Sequence, residues 1–196
     1  MIVGFSGAKY AGKSASAKIL REEYKAVELA FAAPLKEICT ILFDLPIVYF
    51  TDPILKEKNV EGIGSPRQMM TTVGTFLGDL NENTDMPEYT KGRIWVFLMS
   101  KNIELIKSQK DTEKTMITIS DVRYPAECKM IKKNNGIIID IKGNHTPYEI
   151  TLDPRLINHE SETSMREKYI DYTIENNGTL NDLSRKIIDI IERHVQ

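Results

Sequence analysis

Gly7-Ala8-Lys9-Tyr10-Ala11-Gly12-Lys13-Ser14, directly after the apolar run Met1-Ile2-Val3-Gly4-Phe5, is the stretch on which the fold of this chain turns. Gly7, four intervening residues, then Gly12, Lys13 and Ser14 is the spacing of a phosphate-binding loop. The two glycines let the backbone bend until successive N–H groups converge on the oxygens of a di- or triphosphate. Lys13 adds a positive charge on the outer phosphates, and Ser14 offers a hydroxyl to Mg²⁺. The helix that starts here directs the positive end of its dipole at the same anion. The candidate nucleotide contacts are therefore Gly7, Ala8, Lys9, Tyr10, Ala11, Gly12, Lys13, Ser14 and Ala15.

Such a loop functions only between a strand and a helix, and both flanks fit. Residues 1–5 are short, apolar and β-compatible, while Lys13 to Tyr24 puts Ala15, Ile19 and Leu20 on one helical face and Lys18, Arg21 and Glu22 on the other. Strand and helix then alternate to the end of the chain. Residues 26–31, 116–120, 137–141 and 171–175 read as strands, and Ile137-Ile138-Ile139-Asp140-Ile141 is the near-continuous apolar run of a strand covered on both faces. The expected fold is α/β, a mostly parallel sheet flanked by helices.

Composition narrows the function. The 196 residues and 22.4 kDa suit a single domain over 1–196 with a lid-like insertion. A net charge of −2 and a pI near 6.0 argue against a nucleic-acid or membrane-surface binder, so any polyanion site is local. No window approaches the ~18–20 apolar residues of a bilayer span, and the N-terminus lacks a signal-peptide layout. A cytoplasmic protein is expected, with Cys39 and Cys128 as buried reduced thiols.

Further candidates follow in chain order. Pro34 suits the first turn of a helix whose apolar face is read as Leu35, Ile38, Leu42 and, less regularly, Ile41; this leaves Lys36 near the end of the second strand, where a plain solvated charge is the alternative. Residues 44–64 read as loop with one short helical piece. Ser65 and Pro66 open a helix with Met69, Met70 and Val73 facing a core, and Arg67 in its first turn opposes the dipole unless an anion is near; a surface arginine paired with a loop carboxylate is the alternative. Trp95 reads as a core side chain. Asp121 ends the strand at 116–120, in the place of a metal-supporting carboxylate, with Arg123 within reach of phosphate; a helix-capping ion pair is the alternative. A helix over 126–134 is closed by Gly136. Residues 144–169, with Arg155, His159 and Arg166, lack periodicity and read as a lid or loop; no second ligand stands near His159, which sets zinc aside. Asn176-Asn177-Gly178 turns the chain, and Thr179 with Asp182 caps the last helix.

Placed in order, Phe31-Ala32-Ala33-Pro34-Leu35-Lys36, Ser65-Pro66-Arg67 through Val73-Gly74-Thr75, Ser120-Asp121-Val122-Arg123-Tyr124 with Glu127, His159-Glu160-Ser161-Glu162 and Asn177-Gly178-Thr179-Leu180 make the chain resemble the phage and viral deoxynucleoside monophosphate kinases of the phosphate-loop superfamily. The resemblance implies ATP and Mg²⁺, the metal held at Ser14 and Asp121, with Lys13, Asp121, Arg123 and Arg155 as catalytic residues. It implies acceptor contacts at Phe31, Lys36, Arg67, Thr71, His159 and Glu162 within a region of about 32–110 and a lid of about 144–169. Asn177, Gly178 and Thr179 would lie near the donor base. Small nucleotides, rather than nucleic acid or membrane, are the implied partners; a homodimer and, if viral, a host-cytoplasm location also follow. The chain departs from the family at Ser14, where many relatives carry aspartate. Chemistry points the same way: a monophosphate attacks with an oxygen that is already anionic, so cations and Mg²⁺ suffice without a base. Dephospho-coenzyme A or nucleoside phosphorylation is the enzymatic alternative. A GTPase-like or non-catalytic nucleotide-binding module is the other, although Asp121-Val122-Arg123-Tyr124 lacks a switch glycine.

Overall fold

The computed structural model describes residues 1–79, 94–109, 115–143 and 167–195. Five strands, β1 (Ile2–Ser6), β2 (Val27–Leu29), β3 (Ile117–Ile119), β4 (Ile137–Lys142) and β5 (Tyr172–Glu175), form one sheet in the order β2-β3-β1-β4-β5, every pair parallel. The described helices are α1 (Lys13–Tyr24), α2 (Ala33–Phe43), α3 (Val48–Thr51), α4 (Pro66–Asp79), α5 (Ile94–Ser108), α6 (Pro125–Lys133) and α7 (Leu180–Val195). The chain divides into two compact units, one of residues Met1–Ala30 with Ile103–Gln196 and one of Phe31–Asn102.

The first unit holds the sheet. β4 is buried along residues 137–141, as its apolar run requires. Val3, Phe5, Ile139, Ile141 and Ile174 pack against Ala17 and Leu20 of α1 and against Leu183, Ile187 and Ile191 of α7, whose spacing of four keeps them on one helical face. The chain leaves β1 toward β2 and leaves the adjacent β3 toward β4, in opposite directions across the sheet. That reversal opens a crevice at the carboxyl ends of β1 and β3, the place where such sheets bind ligands. At the end of α6 it is Asn135, at φ 55°, rather than Gly136, that takes the left-handed turn. A short polar side chain tolerates that conformation.

The second unit has a core of its own, with Cys39, Phe50, Met69 and Val73 buried and Leu35, Phe43, Leu45 and Tyr49 packed around them. Ser65 and Gln68 cap α4 reciprocally: the Gln68 N–H donates to Ser65 Oγ at 3.3 Å and the Ser65 N–H to Gln68 Oε1 at 2.9 Å. The 44–64 stretch holds α3 and a 3-10 turn at Leu55–Glu57, begun by Asp52, whose Oδ1 accepts from the Ile54 and Leu55 N–H groups. The expected face of α2 is corrected: Cys39, Leu35 and Phe43 pack, whereas Ile41 is 83% and Leu42 60% exposed. Both cysteines are buried free thiols, and burial pushes Cys39 up to about 11, out of nucleophile range. No described helix is long and apolar enough to cross a membrane.

Candidate functional site

The loop between β1 and α1 takes backbone conformations that its sequence alone makes possible. Gly7 lies at φ 136° and Gly12 at φ 111°. Space excludes side chains there too: a Cβ on Gly7 would run into the Ile141 carbonyl oxygen, and one on Gly12 would stand 2.5 Å from Asn176 Nδ2. Tyr10 is also left-handed, at φ 63°, a conformation that non-glycine residues hold only when the surroundings fix it. The Lys9 ammonium lies 5.0 Å from its ring centroid, and the Ala11 N–H closes the loop onto the Ala8 carbonyl at 3.2 Å. Ala8 is exposed at the tip while Ala11 is fully buried beneath it.

The electrostatics of this loop call for an anion. Gly12 gives α1 no side-chain cap, and the first turn of α1 contains no acidic residue. The N–H groups of that turn and the positive end of the dipole thus meet no carboxylate of their own helix. Lys13 nevertheless adds a cation at the same end, its Nζ donating to the Gly7 carbonyl at 2.8 Å and the Ala8 carbonyl at 2.6 Å. Ser14 is exposed on the turn and Ala15 half-buried behind it. A cation beside the N–H groups of a helix start is the arrangement that phosphate oxygens neutralise.

After β3 the chain stays beside β1. The Val122 N–H donates to the Phe5 carbonyl at 3.1 Å, which sets Asp121 and Arg123 next to the strand that feeds the loop. Glu127, in the first turn of α6, fixes the turn from the other side: Oε2 accepts from the Arg123 N–H at 2.6 Å and the Tyr124 N–H at 2.9 Å. It is almost fully buried. Desolvation, and secondarily the Asp121 charge, push its carboxyl up to about 8 against the pull of those two N–H groups and of Arg123. Among the described residues no group of three or more His, Cys, Asp and Glu side chains could hold a metal. Ser14 and Asp121 offer two hard oxygens, and Mg²⁺ commonly takes one or two protein ligands and completes its shell with phosphate and water. Hard oxygens of this kind are the donor chemistry that a nucleotide-borne Mg²⁺ takes.

Beyond β5, Asn176 is 6% exposed and its Nδ2 donates to the Ala11 carbonyl at 2.8 Å. Asn177, Gly178 and Thr179 are exposed. The Thr179 N–H and hydroxyl both donate to Asp182 Oδ2, at 3.0 and 2.7 Å, and the Asp182 N–H returns to Thr179 Oγ1 at 3.2 Å, which is the expected cap of α7.

In the second unit Phe31 is buried and Lys36 half-buried in the first turn of α2. Arg67 and Thr71 lie one turn apart on α4, the Thr71 hydroxyl donating to the Arg67 carbonyl at 3.0 Å. Arg67 Nε donates to Glu57 Oε1 at 2.7 Å. Arg155, His159 and Glu162 lie outside the described residues, as does most of the 144–169 stretch. Sequence reasoning missed Glu57 and Asn176. Glu57 sits inside Lys56-Glu57-Lys58, which reads as a solvated charge run, and Asn176 reads as an ordinary turn residue.

No protein-family model matches the chain. Over its whole length, and over 98% of the relative's, it is 30% identical to a protein of Acanthamoeba polyphaga mimivirus described as a deoxynucleotide monophosphate kinase. It is 26% identical to the deoxynucleoside-5'-monophosphate kinase of Escherichia phage T5 over 73% of its own length and 54% of the phage protein's. Among solved structures, that of TT1252 from Thermus thermophilus has a TM-score of 0.55 at 15% identity and covers 98% of this chain and 97% of its own, a likeness of fold alone.

Proposed function

The chain belongs to the deoxynucleotide monophosphate kinase family, and from that premise we propose that it transfers the terminal phosphoryl group of ATP to a deoxynucleoside or nucleoside monophosphate. As a phosphate-loop kinase it is a phosphotransferase. The observation that carries the donor half of the reading is Lys13, whose ammonium lies over the Gly7 and Ala8 carbonyls at a helix start without a cap or an acid.

In this reading the N–H groups of residues 7–15 cradle the donor phosphates, and Lys13 and Arg123 stabilise the charge that spreads over the transferred group. Mg²⁺, held through Ser14 and Asp121, neutralises charge on the donor phosphates when bound. Lys36 and Arg67 bind the acceptor phosphate, with Phe31 and Thr71 beside the acceptor nucleoside. Arg155, His159 and Glu162 belong to the lid over 144–169, which excludes water so that transfer outruns hydrolysis. Asn177, Gly178 and Thr179 meet the donor base. The acceptor oxygen is already anionic and needs no general base. The protein acts on small nucleotides, as a homodimer, in the cytoplasm, that of the host if the chain is viral.

The test is a panel of nucleoside and deoxynucleoside monophosphates, with nucleosides and dephospho-coenzyme A beside them, each incubated with ATP and Mg²⁺ and read by ADP formation. Acceptor-stimulated ADP release with at least one deoxynucleoside monophosphate is expected. Release with dephospho-coenzyme A or a nucleoside, and with no monophosphate, would overturn the assignment of the acceptor.

A further inference from the structure

The phosphate loop is held from below by a residue that lies 165 positions away in sequence. Asn176 follows the last strand, is 6% exposed, and donates its side-chain amide to the carbonyl of Ala11, itself fully buried, at 2.8 Å. Its backbone is tied as firmly, the Asn176 N–H donating to the Lys142 carbonyl at 2.6 Å, so the amide projects from a fixed point at the edge of β4 and β5. Gly12, the next loop residue, has room for no Cβ because Asn176 Nδ2 would stand 2.5 Å from it. Ala11 and Gly12 are the last residues before Lys13 and the first turn of α1. The orientation of the Ala11–Gly12 peptide therefore sets where the Gly12 N–H points and how the loop enters α1.

We propose that Asn176 is a positioning residue that holds the phosphate loop in its anion-binding shape through the Ala11 carbonyl, and so couples the segment 177–179 to the loop. A buried carbonyl without its donor seeks another, and here the movement available to it is rotation of the Ala11–Gly12 peptide plane, which turns the Gly12 N–H with it. The inference rests on reading residues 7–14 as a phosphate cradle and is independent of which acceptor the enzyme uses.

The experiment is a calorimetric titration with ADP, with inorganic pyrophosphate and with adenosine, on wild-type protein, Asn176→Ala and Asn176→Asp. Both variants should bind ADP and pyrophosphate about tenfold or more weakly, the order expected for losing a buried hydrogen bond that shapes the site, with adenosine unaffected. Asp should be no better than Ala, since it keeps the shape of Asn but sets a carboxylate oxygen against a carbonyl; a merely packing role would make Asp the better tolerated. On wild-type protein alone, pyrophosphate, which carries no base, should slow amide hydrogen exchange at residues 176–179. Unchanged phosphate binding in the variants, a loss confined to adenosine, or unchanged exchange at 176–179 would each overturn the inference. A wild-type protein that binds neither ADP nor pyrophosphate would instead overturn the phosphate cradle itself, and the inference with it.

Discussion

Arg67 Nε donates to Glu57 Oε1 at 2.7 Å with both side chains less than one-fifth exposed, at 18% and 19%. An arginine bonded through Nε still carries N–H donors on its two Nη groups, and a guanidinium can grip a carboxylate or phosphate with two parallel bonds. On the proposed reading, Glu57 is the mounting of an acceptor-phosphate ligand; on the plain one, the pair is a loop carboxylate neutralising a first-turn arginine.

Arg67→Ala is accordingly expected to raise the KM for the monophosphate or lower turnover by roughly tenfold or more, the order of losing a charge-assisted bond of ~1.5–3 kcal/mol. Arg67→Lys should recover part of the loss, and Glu57→Gln should cost a few-fold by loosening the mounting. ATP affinity should stay constant across the series. Steady-state kinetics with each substrate varied in turn decides it; equal weakening toward ATP, or no change in either substrate, would remove Arg67 from the acceptor site.

Lys13→Met is expected to reduce phosphoryl transfer by about 10²-fold or more, because the ammonium acts on charge that develops during transfer. The fold should persist, since the two loop carbonyls that Lys13 now bonds lie at a partly exposed site and each bond contributes only ~1 kcal/mol. Turnover and a thermal melt on the same preparation check both halves. Activity within a few-fold of wild type would refute the donor site.

Much of this was legible in the residues, and the reasons for the misses are physical. The loop and β4 were readable because glycine spacing and an unbroken Ile137-Ile138-Ile139 run leave few alternatives. The cap serine at Ser65 and the Thr179–Asp182 pair were also marked in the sequence, the first by the proline that follows it and the second by its spacing of three; Gln68, which completes the first cap, was not read. The α2 face was read one step off. A stripe at 35, 38 and 42 and a stripe at 35, 39 and 43 are both helical, and only the tertiary partners Phe50 and Met69 select the second. Glu57 and Asn176 were hidden for a different reason. Their partners lie 10 and 165 residues away, and nothing local in Lys56-Glu57-Lys58 or Asn176-Asn177-Gly178 records them.

Two glycine substitutions should move stability in opposite directions. Gly7→Ala forces a side chain onto a residue at φ 136° and against the Ile141 carbonyl, so it should destabilise by ~1–3 kcal/mol or more and abolish ADP binding. Gly78→Ala lies in α4, where nothing stands within 4 Å of the new Cβ, and should stabilise by ~0.5–1 kcal/mol. Denaturant melts of the two variants test the pair; a Gly7→Ala protein with wild-type ADP affinity would show that the loop tolerates a different shape.

The last prediction concerns Glu127 and pH. Burial, then the neighbouring Asp121 charge, raise its folded pKa to about 8 from an ordinary value of 4.5. Between those two values the folded protein binds a proton that the unfolded chain has lost, so this group's stabilising contribution is complete below pH ~4.5 and disappears as pH rises toward 8. Glutamine copies the neutral acid: its Oε1 still accepts from the Arg123 and Tyr124 N–H groups, and it carries no charge to desolvate at any pH. Glu127→Gln should therefore match wild type near pH 5 and become progressively the more stable protein toward pH 8. Each tenfold difference in proton affinity between the folded and unfolded chain is worth about 1.4 kcal/mol at most, so the gap should reach on the order of several degrees in Tm. Thermal melts of both proteins in metal-free buffer across pH 5–8 measure the gap directly, and other titrating groups cancel between them. A gap that stays flat or reverses would mean that the carboxylate is ionised throughout, held by Arg123 and the two N–H groups against its burial.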